Sequence, residues 1–414
     1  MRAVALSLAL TLLGSAVFAA PDEDKLGKHR HYPAGTAGNW ERDESVRVGS
    51  FTHQGEIPGI FHGSVNVLEP APNPMPLPVA KATPEYRWSI GDVRGLTVED
   101  YLARQRIMGL IIVKDGTVQL ERYQYDRRPA DRFTSESMAK SITALAIGIA
   151  LGEGRIEGVD DAAERYAGNL RGTLYGGTSI RNLLRMSSGA HYLQTYDFTG
   201  DTRRFSEEIS RAGVEAAAHI VTEREAPAGT WFHYASSEAA VLGAVLRGAT
   251  GGSVSAYLTP RLWRAIGAES SALWRADRTG LEVTLANFNA TLRDYARLGT
   301  VLAYDGARPD DPTHSIIPRD FLLDATDWHR VPEPFRPGKA TPYWGYGYLF
   351  WIFPGEHRRF AMLGVYGQSI FVDPGLHLVM VETAVNATPE ADGTSLGRER
   401  TAFWRGVVSY YGKW

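Results

Sequence analysis

The fold is decided by two neighbouring segments, MGLIIVKDGTVQLERYQY (residues 108–125) and SMAKSITALAIGIALGEG (residues 137–154). The first contains two stretches rich in β-branched and aromatic residues around Asp115-Gly116, a dipeptide that favours a tight hairpin turn. The second has apolar residues at helical spacing and stops at Gly152 and Gly154, which predicts a largely buried helix beginning near Ser137. A strand hairpin followed by a buried helix indicates a sheet with helices packed on it.

The flanking sequence extends this pattern. The segment TVEDYLARQ predicts a short helix with Thr97 as its N-cap. From about Ile156 to Tyr304 the pattern is mainly helical with glycine-rich joints, which predicts an inserted all-helical lobe. From Tyr343 apolar residues alternate again, and a last helix is expected from about Leu396 to Tyr410. The prediction is an α+β fold in which helices flank an antiparallel sheet, with the cleft between sheet and lobe as the default binding site.

Composition excludes several classes of protein. The chain has 414 residues, of which 44 % are apolar, so it can bury a sizeable core. A formal charge of -3 gives no field for gathering nucleic acid or anionic lipid, and neither partner is expected. The absence of cysteine excludes disulfides, thiolate nucleophiles and thiolate-bound metals. The 11 histidines show no His-Glu-x-x-His pattern, and Gly-x-Ser-x-Gly and phosphate-loop motifs are absent, so no metal or cofactor is expected.

The N-terminal part divides into two segments. Residues 1–19 carry Arg2, an apolar run and small residues before a cut after Ala19, which predicts a signal peptide and a secreted or periplasmic mature chain. The apolar run is shorter than the roughly 20 residues that span a bilayer, so no stable membrane anchor is expected. Residues 20–95 predict a proline-rich and glycine-rich N-terminal extension, and apolar residues such as Trp40 and Phe51 indicate that part of it lies on the main domain, residues 96–414.

Ser137 and Lys140 form the first candidate for chemistry. Residues three apart on a helix share a face, so the hydroxyl and the amine can approach each other. A serine hydroxyl needs a base to act as a nucleophile, and a lysine removed from water can supply one because desolvation lowers its pKa. The competing interpretations are a chance tetrapeptide, of which roughly 0.4 are expected in a chain of this size, and a serine that only caps the helix.

Two further segments could complete a site. Tyr234 lies in PAGTWFHYASSEAAVLG, on a loop just before a predicted helix, where its hydroxyl could relay a proton. A half-buried packing role is the alternative. Gly364-Val365-Tyr366-Gly367-Gln368 precedes a late strand, where glycines let a substrate approach and a backbone N–H can hold an oxyanion. A plain strand turn is the alternative there.

Taken in this order, the three motifs resemble the serine β-lactamase and penicillin-recognising hydrolase superfamily. The resemblance is to its class C-like branch, which includes family VIII-type esterases and 6-aminohexanoate-dimer hydrolases. It runs from about Leu96 to about Val385, and further segments in register with it are SIRNLLRMSSGAHY, NFNATLRDYARLG, YWGYGYLFWIF and GQSIFVDPGLHLVMV.

The resemblance implies a role for each matching residue. Ser137 would be the acylated nucleophile, Lys140 its base and Tyr234 the proton shuttle. The oxyanion hole would consist of the backbone N–H groups of Ser137 and of Gln368, which follows Gly367. Three polar residues would belong to the cleft, namely Ser236, Tyr196 and Asn289.

Two departures narrow the function that the resemblance implies. Ser236 stands where the family's Tyr-x-Asn has asparagine, and Val365-Tyr366-Gly367 stands in place of Lys-Thr-Gly. Valine cannot attract the carboxylate of a β-lactam or a peptidoglycan terminus. The expected function is therefore an exported serine hydrolase acting on a small-molecule ester or linear amide. The alternatives are a weak β-lactamase or D-alanyl-D-alanine peptidase, a penicillin-binding-like sensor that stays acylated, and an inactive binding module; the oligomeric state is left open.

Overall fold

A computed structural model describes residues 21–196, 199–389 and 395–414, and the predicted signal peptide lies outside these ranges. The helices of the described residues are α1 (Glu44–His53), α2 (Val98–Arg104), α3 (Met138–Gly152), α4 (Ile180–Leu184), α5 (Asp201–Ala212), α6 (Val214–Ala218), α7 (Ser236–Thr250), α8 (Val254–Leu258), α9 (Leu292–Ala303), α10 (Arg319–Thr326) and α11 (Ser395–Tyr411). The strands are β1 (Val65–Leu68), β2 (Trp88–Ile90), β3 (Val93–Leu96), β4 (Ile107–Lys114), β5 (Thr117–Tyr123), β6 (Arg132–Thr134), β7 (Ala272–Arg275), β8 (Phe288–Thr291), β9 (Ala307–Arg308), β10 (Asp311–Ser315), β11 (Gly345–Tyr346), β12 (Trp351–Ile352), β13 (Phe360–Gly364), β14 (Gln368–Asp373) and β15 (Leu378–Ala384).

The largest sheet within these ranges has seven strands in the order β11-β12-β13-β14-β15-β4-β5, with every neighbouring pair antiparallel. Strand β4 illustrates how this sheet is buried on both faces. Ile111 and Val113 pack into the core that contains α3 and α9, whereas Leu110 and Ile112 pack into the core that contains α11. Side chains alternate between the faces of a strand, so this near-continuous apolar run serves two helical layers. The predicted α+β class, with helices flanking an antiparallel sheet, is confirmed.

The elements in and directly before residues 108–125 form as predicted. Strands β4 and β5 form the hairpin, and its turn residues Asp115 and Gly116 have φ values of 49° and 71°. Thr97 caps α2 through a capping box with Asp100, whose side chain accepts from the Thr97 N–H at 2.8 Å. Within the described ranges, no helix combines the length and apolar character required to cross a membrane.

A second sheet, in the order β1-β7-β8-β6, corrects the prediction of an all-helical lobe over residues 156–304. Strands β7 and β8 lie inside that segment, and α9 packs on the seven-stranded sheet rather than on the lobe. Each of these two strands has only four residues, which is too short for alternation to stand out from the helical pattern around it.

The N-terminal extension is built into the main domain. Val48 and Phe51 of α1 are completely buried in the central core. Strand β1 pairs with β7 over four residue pairs, and the indole N–H of Trp88 in β2 donates to the Thr97 carbonyl at 2.8 Å. Residues 21–95 therefore help to hold the second sheet and the layer beneath α11.

Candidate active site

The start of α3 holds the first two candidate residues together. Ser137 has helical φ and ψ values of -65° and -6°, and its hydroxyl makes no capping bond to the helix. The hydroxyl instead lies 2.8 Å from Lys140 Nζ. Ser137 is therefore not a simple N-cap, and its hydroxyl is available to hydrogen-bond with the Lys140 amine one turn along the helix.

The surroundings of Lys140 favour its uncharged form. Its side chain is almost completely buried, and Nζ donates to the Leu285 carbonyl at 2.6 Å. Burial lowers the pKa of Lys140 from its ordinary value to about 7, and the nearby Glu136 carboxyl opposes this shift without cancelling it. A neutral amine at hydrogen-bond distance from a serine hydroxyl can accept its proton.

Glu136 is a neighbour that the sequence analysis did not single out. It has a φ of 43°, in the left-handed region that side chains other than glycine and asparagine seldom adopt, between strand β6 and helix α3. Its Oε1 accepts from Thr134 Oγ1 at 3.1 Å. Burial, together with a smaller contribution from the nearby Glu41 carboxyl, raises the pKa of Glu136 to about 8. The only signal in the sequence was its position directly before Ser137.

Tyr234 reaches the same place from the loop before α7. Lys140 Nζ lies 5.4 Å from the centroid of its ring, and the Ser137 hydroxyl is close enough to the Tyr234 hydroxyl to lower its pKa slightly. The ring stacks on Trp351 with centroids 5.7 Å apart. Burial raises the pKa of Tyr234 well above its ordinary value, so the phenol keeps its proton at neutral pH. Such a group can donate a proton, whereas the amine with the lowered pKa is the better acceptor.

These groups face a cavity of about 400 Å³. Ser137, Tyr234 and the predicted cleft residue Tyr196 are part of its wall. No aspartate or glutamate is among the described residues that line it. The other lining residues are Tyr192, Leu193, Gln194, His233, Trp351, Leu363, Gly364, Val365, Pro389 and Arg400.

The glycine-rich turn reaches this cavity through different residues from those expected. Gly364 and Val365 line it, whereas Gly367 and Gln368 are absent from its wall. Gln368 is completely buried, pairs with Gly364 in the strand ladder, and donates from Nε2 to the Ala384 carbonyl at 2.7 Å. A Cβ atom on Gly367 would lie 2.8 Å from that of Ala384, so this glycine faces strand β15.

The turn is also supported from behind. Tyr366 has a φ of 61°, which directs its ring away from the strand and onto the N-terminal extension. Its ring lies 5.5 Å from that of Phe51 and 4.4 Å from the guanidinium of Arg47. The extension therefore holds the turn that presents Val365 to the cavity.

Two predicted residues lie apart from the cavity. Asn289 is buried in β8 opposite Thr134, where its Nδ2 donates to Gln54 Oε1 at 2.9 Å, and it borders a separate small cavity. Ser236 is buried at the start of α7, and its N–H donates to Gln194 Oε1 at 2.9 Å. Ser236 therefore acts on the wall indirectly, by orienting Gln194.

Sequence reasoning missed the aromatic partner Trp351 and the cation Arg400. Trp351 stands in YWGYGYLFWIF, a segment whose resemblance to the family does not indicate a contact with Tyr234. Arg400 belongs to the amphipathic last helix, where an arginine carries no distinguishing pattern. Among the described residues, no group of histidine, aspartate and glutamate side chains could hold a metal ion.

Comparison with known proteins identifies the family of this chain. The family model described as Beta-lactamase matches residues 97–401. The 6-aminohexanoate-dimer hydrolase of Paenarthrobacter ureafaciens is 25 % identical over 345 residues, which cover 80 % of this chain and 83 % of that protein. A candidate 6-aminohexanoate-dimer hydrolase of Bacillus anthracis superposes with a TM-score of 0.76 at 23 % identity, covering 92 % of this chain and 97 % of the other. A family VIII carboxylesterase superposes with a TM-score of 0.54 at 16 % identity over 72 % of this chain and 92 % of the other.

Proposed function

The chain belongs to the Beta-lactamase family, and on this premise we propose that it is a serine hydrolase that cleaves ester or linear amide bonds through an acyl-enzyme on Ser137. One observation carries the proposal. Lys140 Nζ lies 2.8 Å from Ser137 Oγ, and burial brings the pKa of that amine to about 7, so the nucleophile has a neutral base beside it. Tyr234 adds a protonated phenol to the same cavity.

These residues supply each step of a two-stage reaction. Lys140 takes the proton of Ser137 while Oγ forms a bond to the substrate carbonyl carbon. Tyr234 gives a proton to the leaving alkoxide or amine as its bond to that carbon breaks, and the proton on Lys140 replaces it. Water then attacks the acyl-serine ester by the reverse relay, which releases the acid and restores Ser137.

The oxyanion donors follow from the geometry of the turn. We assign them to the backbone N–H groups of Ser137 and Val365, because both residues line the cavity and Gln368 does not. Removal of one such donor typically slows turnover by about 10²–10³-fold. This assignment replaces the expected donor Gln368 with a residue three positions earlier.

The substrate class rests on the wall of the cavity. Val365 supplies no charge at the turn where β-lactam-hydrolysing relatives carry lysine, which disfavours β-lactams and peptidoglycan termini. The aromatic surface formed by Tyr234 and Trp351 suits an uncharged acyl chain. The names of the relatives, a 6-aminohexanoate-dimer hydrolase and a family VIII carboxylesterase, support linear amides and esters.

The test uses three substrates side by side: a short-chain nitrophenyl ester, the linear 6-aminohexanoate dimer and a chromogenic cephalosporin. We expect turnover of the ester or the dimer and slow or no turnover of the cephalosporin. Ser137→Ala should reduce the measured kcat by at least about 10³-fold. Fast cephalosporin turnover alone would favour the β-lactamase alternative, and stoichiometric labelling of Ser137 without turnover would favour the sensor.

We also propose that the chain is exported. Asp22 forms an ion pair of 2.8 Å with the largely buried Arg106, so residues directly after the predicted cut are already part of the folded domain. Expression in a bacterial host with a functional secretion system should yield a periplasmic protein whose N-terminal residue is Ala20, as read by mass spectrometry. Recovery of the uncut chain from the cytoplasm would contradict this proposal.

A further inference from the structure

The segment that carries Tyr234 also forms part of the outer edge of the cavity. His233 and Leu193 both line the cavity, and Leu193 is 57 % exposed. Trp231 is 37 % exposed, and its ring lies 4.9 Å from that of His233. Apolar side chains that stay exposed side by side at a cavity mark a surface that binds another molecule. We call Leu193, Trp231 and His233 the rim of the cavity.

The imidazole of His233 is held in one tautomer. Its Nε2 lies 2.7 Å from the Tyr192 carbonyl oxygen, which can only accept a hydrogen bond, so Nε2 carries the hydrogen. A neutral imidazole has one N–H, and Nδ1 therefore presents a lone pair. The backbone N–H of His233 donates to the Met186 carbonyl at 2.8 Å. These two bonds and the contact with Trp231 fix the ring before a ligand binds.

Nδ1 of His233 is available to accept a hydrogen bond. It has no partner among the described residues, and it is not one of their buried unsatisfied side-chain atoms, so a ligand can reach it. Other acceptors in the described wall are scarce, because it contains no carboxylate, Gln194 Oε1 already accepts from the Ser236 N–H, and the Tyr192 hydroxyl is buried. The rim therefore presents one accessible acceptor beside apolar surface.

The rim adjoins the group that protonates the leaving group. Tyr234 directly follows His233 in the chain. The ring of Phe232 lies 6.4 Å from that of Tyr234, whereas the ring of Trp231 contacts His233. Alternate residues of this segment therefore serve the interior of the site and its rim.

We propose that His233 and Trp231 form a subsite for the leaving group, in which His233 Nδ1 accepts from an amide N–H and the indole of Trp231 covers the adjoining methylene groups. The preferred substrates are then linear esters or amides whose leaving group carries a further amide N–H, as in oligoamides longer than a dimer. An acceptor in a fixed position selects for a donor in the ligand, which apolar contact alone cannot do. This inference rests on the proposed function for the identity of the leaving group, while the subsite is a binding property that can be measured without turnover.

The first experiment compares two butyrate esters that differ in one group. The leaving group of the first is an acetamidoalkanol, which has an amide N–H. The second carries a methyl group on that nitrogen, so it keeps the chain and the carbonyl and lacks the donor. Spacers of three to six methylene groups separate the ester oxygen from the amide nitrogen, and release of butyrate gives kcat/KM. At the best spacer we expect kcat/KM to be about fivefold higher for the N–H ester, mainly through KM, which is the factor expected for one neutral hydrogen bond.

The variants assign this preference to a residue. His233→Phe keeps a ring and removes the acceptor, so the ratio of the two kcat/KM values should fall to about one. His219→Phe is the matched control, because His219 also bonds a backbone carbonyl through Nε2, that of Asn169 at 2.9 Å, and lies outside the cavity wall. It should keep the full ratio. Trp231→Ala should lower kcat/KM for both esters several-fold and leave their ratio in place.

A ratio near one at every spacer in the unmodified enzyme, or a ratio that survives His233→Phe, would overturn the subsite. Equal losses on both esters in His233→Phe would indicate a structural role for the ring. His233→Gln can donate to the Tyr192 carbonyl and present its amide oxygen, so it should retain part of the preference. It is the second variant if His233→Phe gives no cooperative thermal transition, and a folded His233→Gln enzyme without any preference would also contradict the proposal.

A binding measurement separates the subsite from the proposed function. Calorimetry on Ser137→Ala uses the same ester pairs, which this variant cannot cleave through an acyl-enzyme. We expect the N–H ester to bind about fivefold more tightly, and His233→Phe to remove the difference. Hydrolysis of neither ester by the unmodified enzyme would reject the proposed function, and the ratio of affinities would still decide the subsite. Equal affinity for both esters at every spacer would overturn the subsite whatever the turnover.

Discussion

At the scale of single residues, the chemistry depends on how far the protein moves one amine from water. Burial lowers the pKa of Lys140, and the ionised form of the Glu136 carboxyl raises it, with burial the larger effect. The pKa of Tyr234 shifts upward instead, because burial disfavours the phenolate. The two shifts separate the roles of base and acid between two groups that would both carry protons at neutral pH in water.

The pH dependence follows from the lowered pKa of Lys140. The amine is neutral above about 7 and charged below, so kcat/KM for an ester should fall as the pH decreases through about 7. This fall is the acid limb of the pH profile, and it is measured by recording kcat/KM between pH 5 and 10. Tyr234→Phe should reduce the rate while leaving the limb in place. A limb that appears only near the ordinary lysine value would contradict the role of Lys140.

Glu136 should affect the pH at which the acid limb of the profile appears. The ionised form of its carboxyl raises the pKa of Lys140, so Glu136→Gln should move the acid limb of the pH profile to lower pH, by a small amount because this carboxyl is largely protonated near pH 7. Glu121→Gln is a comparison that removes a partly buried carboxylate, one paired with Arg293 rather than facing Lys140. An unchanged limb in a folded Glu136→Gln enzyme would show that this carboxyl does not act on the base.

At the scale of elements, short local signals decide where helices begin. Helix α2 starts at the Thr97 capping box, and α3 starts without a capping hydrogen bond from Ser137. The first arrangement stabilises a helix, whereas the second leaves a hydroxyl available for chemistry. The contrast indicates that α3 is held by the burial of its apolar side chains and not by its first turn.

Thr97→Ala tests the structural role of the cap. Loss of the side-chain bonds to Asp100 should lower the free energy of unfolding by about 1 kcal/mol. Urea denaturation followed by circular dichroism measures this change, and kcat for an ester should stay within about twofold. Thr313→Ala, at an exposed position in β10, is the matched control and should change stability by less than about 0.5 kcal/mol.

At the scale of the whole molecule, the N-terminal extension and the glycine-rich turn at residues 364–368 form one packed unit. Phe51 lies between Trp40 and Tyr366, with ring centroids 5.8 Å and 5.5 Å away. Tyr366 in turn follows Val365, which lines the cavity. A segment that precedes the family match at residue 97 therefore contributes to the geometry of the site.

Phe51→Ala tests whether the geometry of the site depends on the N-terminal extension. Deletion of a completely buried aromatic ring typically costs about 3–5 kcal/mol, and the turn behind Val365 loses its support. We expect a lower thermal midpoint together with a lower kcat at temperatures where the variant is still folded. Phe61→Ala, which removes a partly buried ring of the extension, should have smaller effects on both. A large loss of stability with unchanged kcat would show that the extension does not contribute to the activity of the site.

Local sequence patterns were sufficient to predict the hairpin around Asp115-Gly116, the buried helix α3, the late strands and a possible contact of Ser137 with Lys140. These features depend on periodicity and on spacing within one element, and both are visible in a short window of residues. Tyr234 could be named because its segment matched a family pattern, although its contact with Ser137 joins distant parts of the chain.

Packing between distant segments places Val365 rather than Gln368 at the cavity, Asn289 away from it, and Arg400 in its wall. Shifting by one residue along a strand or turn reverses the face on which a group lies, and no local pattern records that choice. The position of α11 against the seven-stranded sheet is set by packing between segments far apart in sequence. The same packing removes water from Lys140, and that loss of hydration lowers the pKa of its amine.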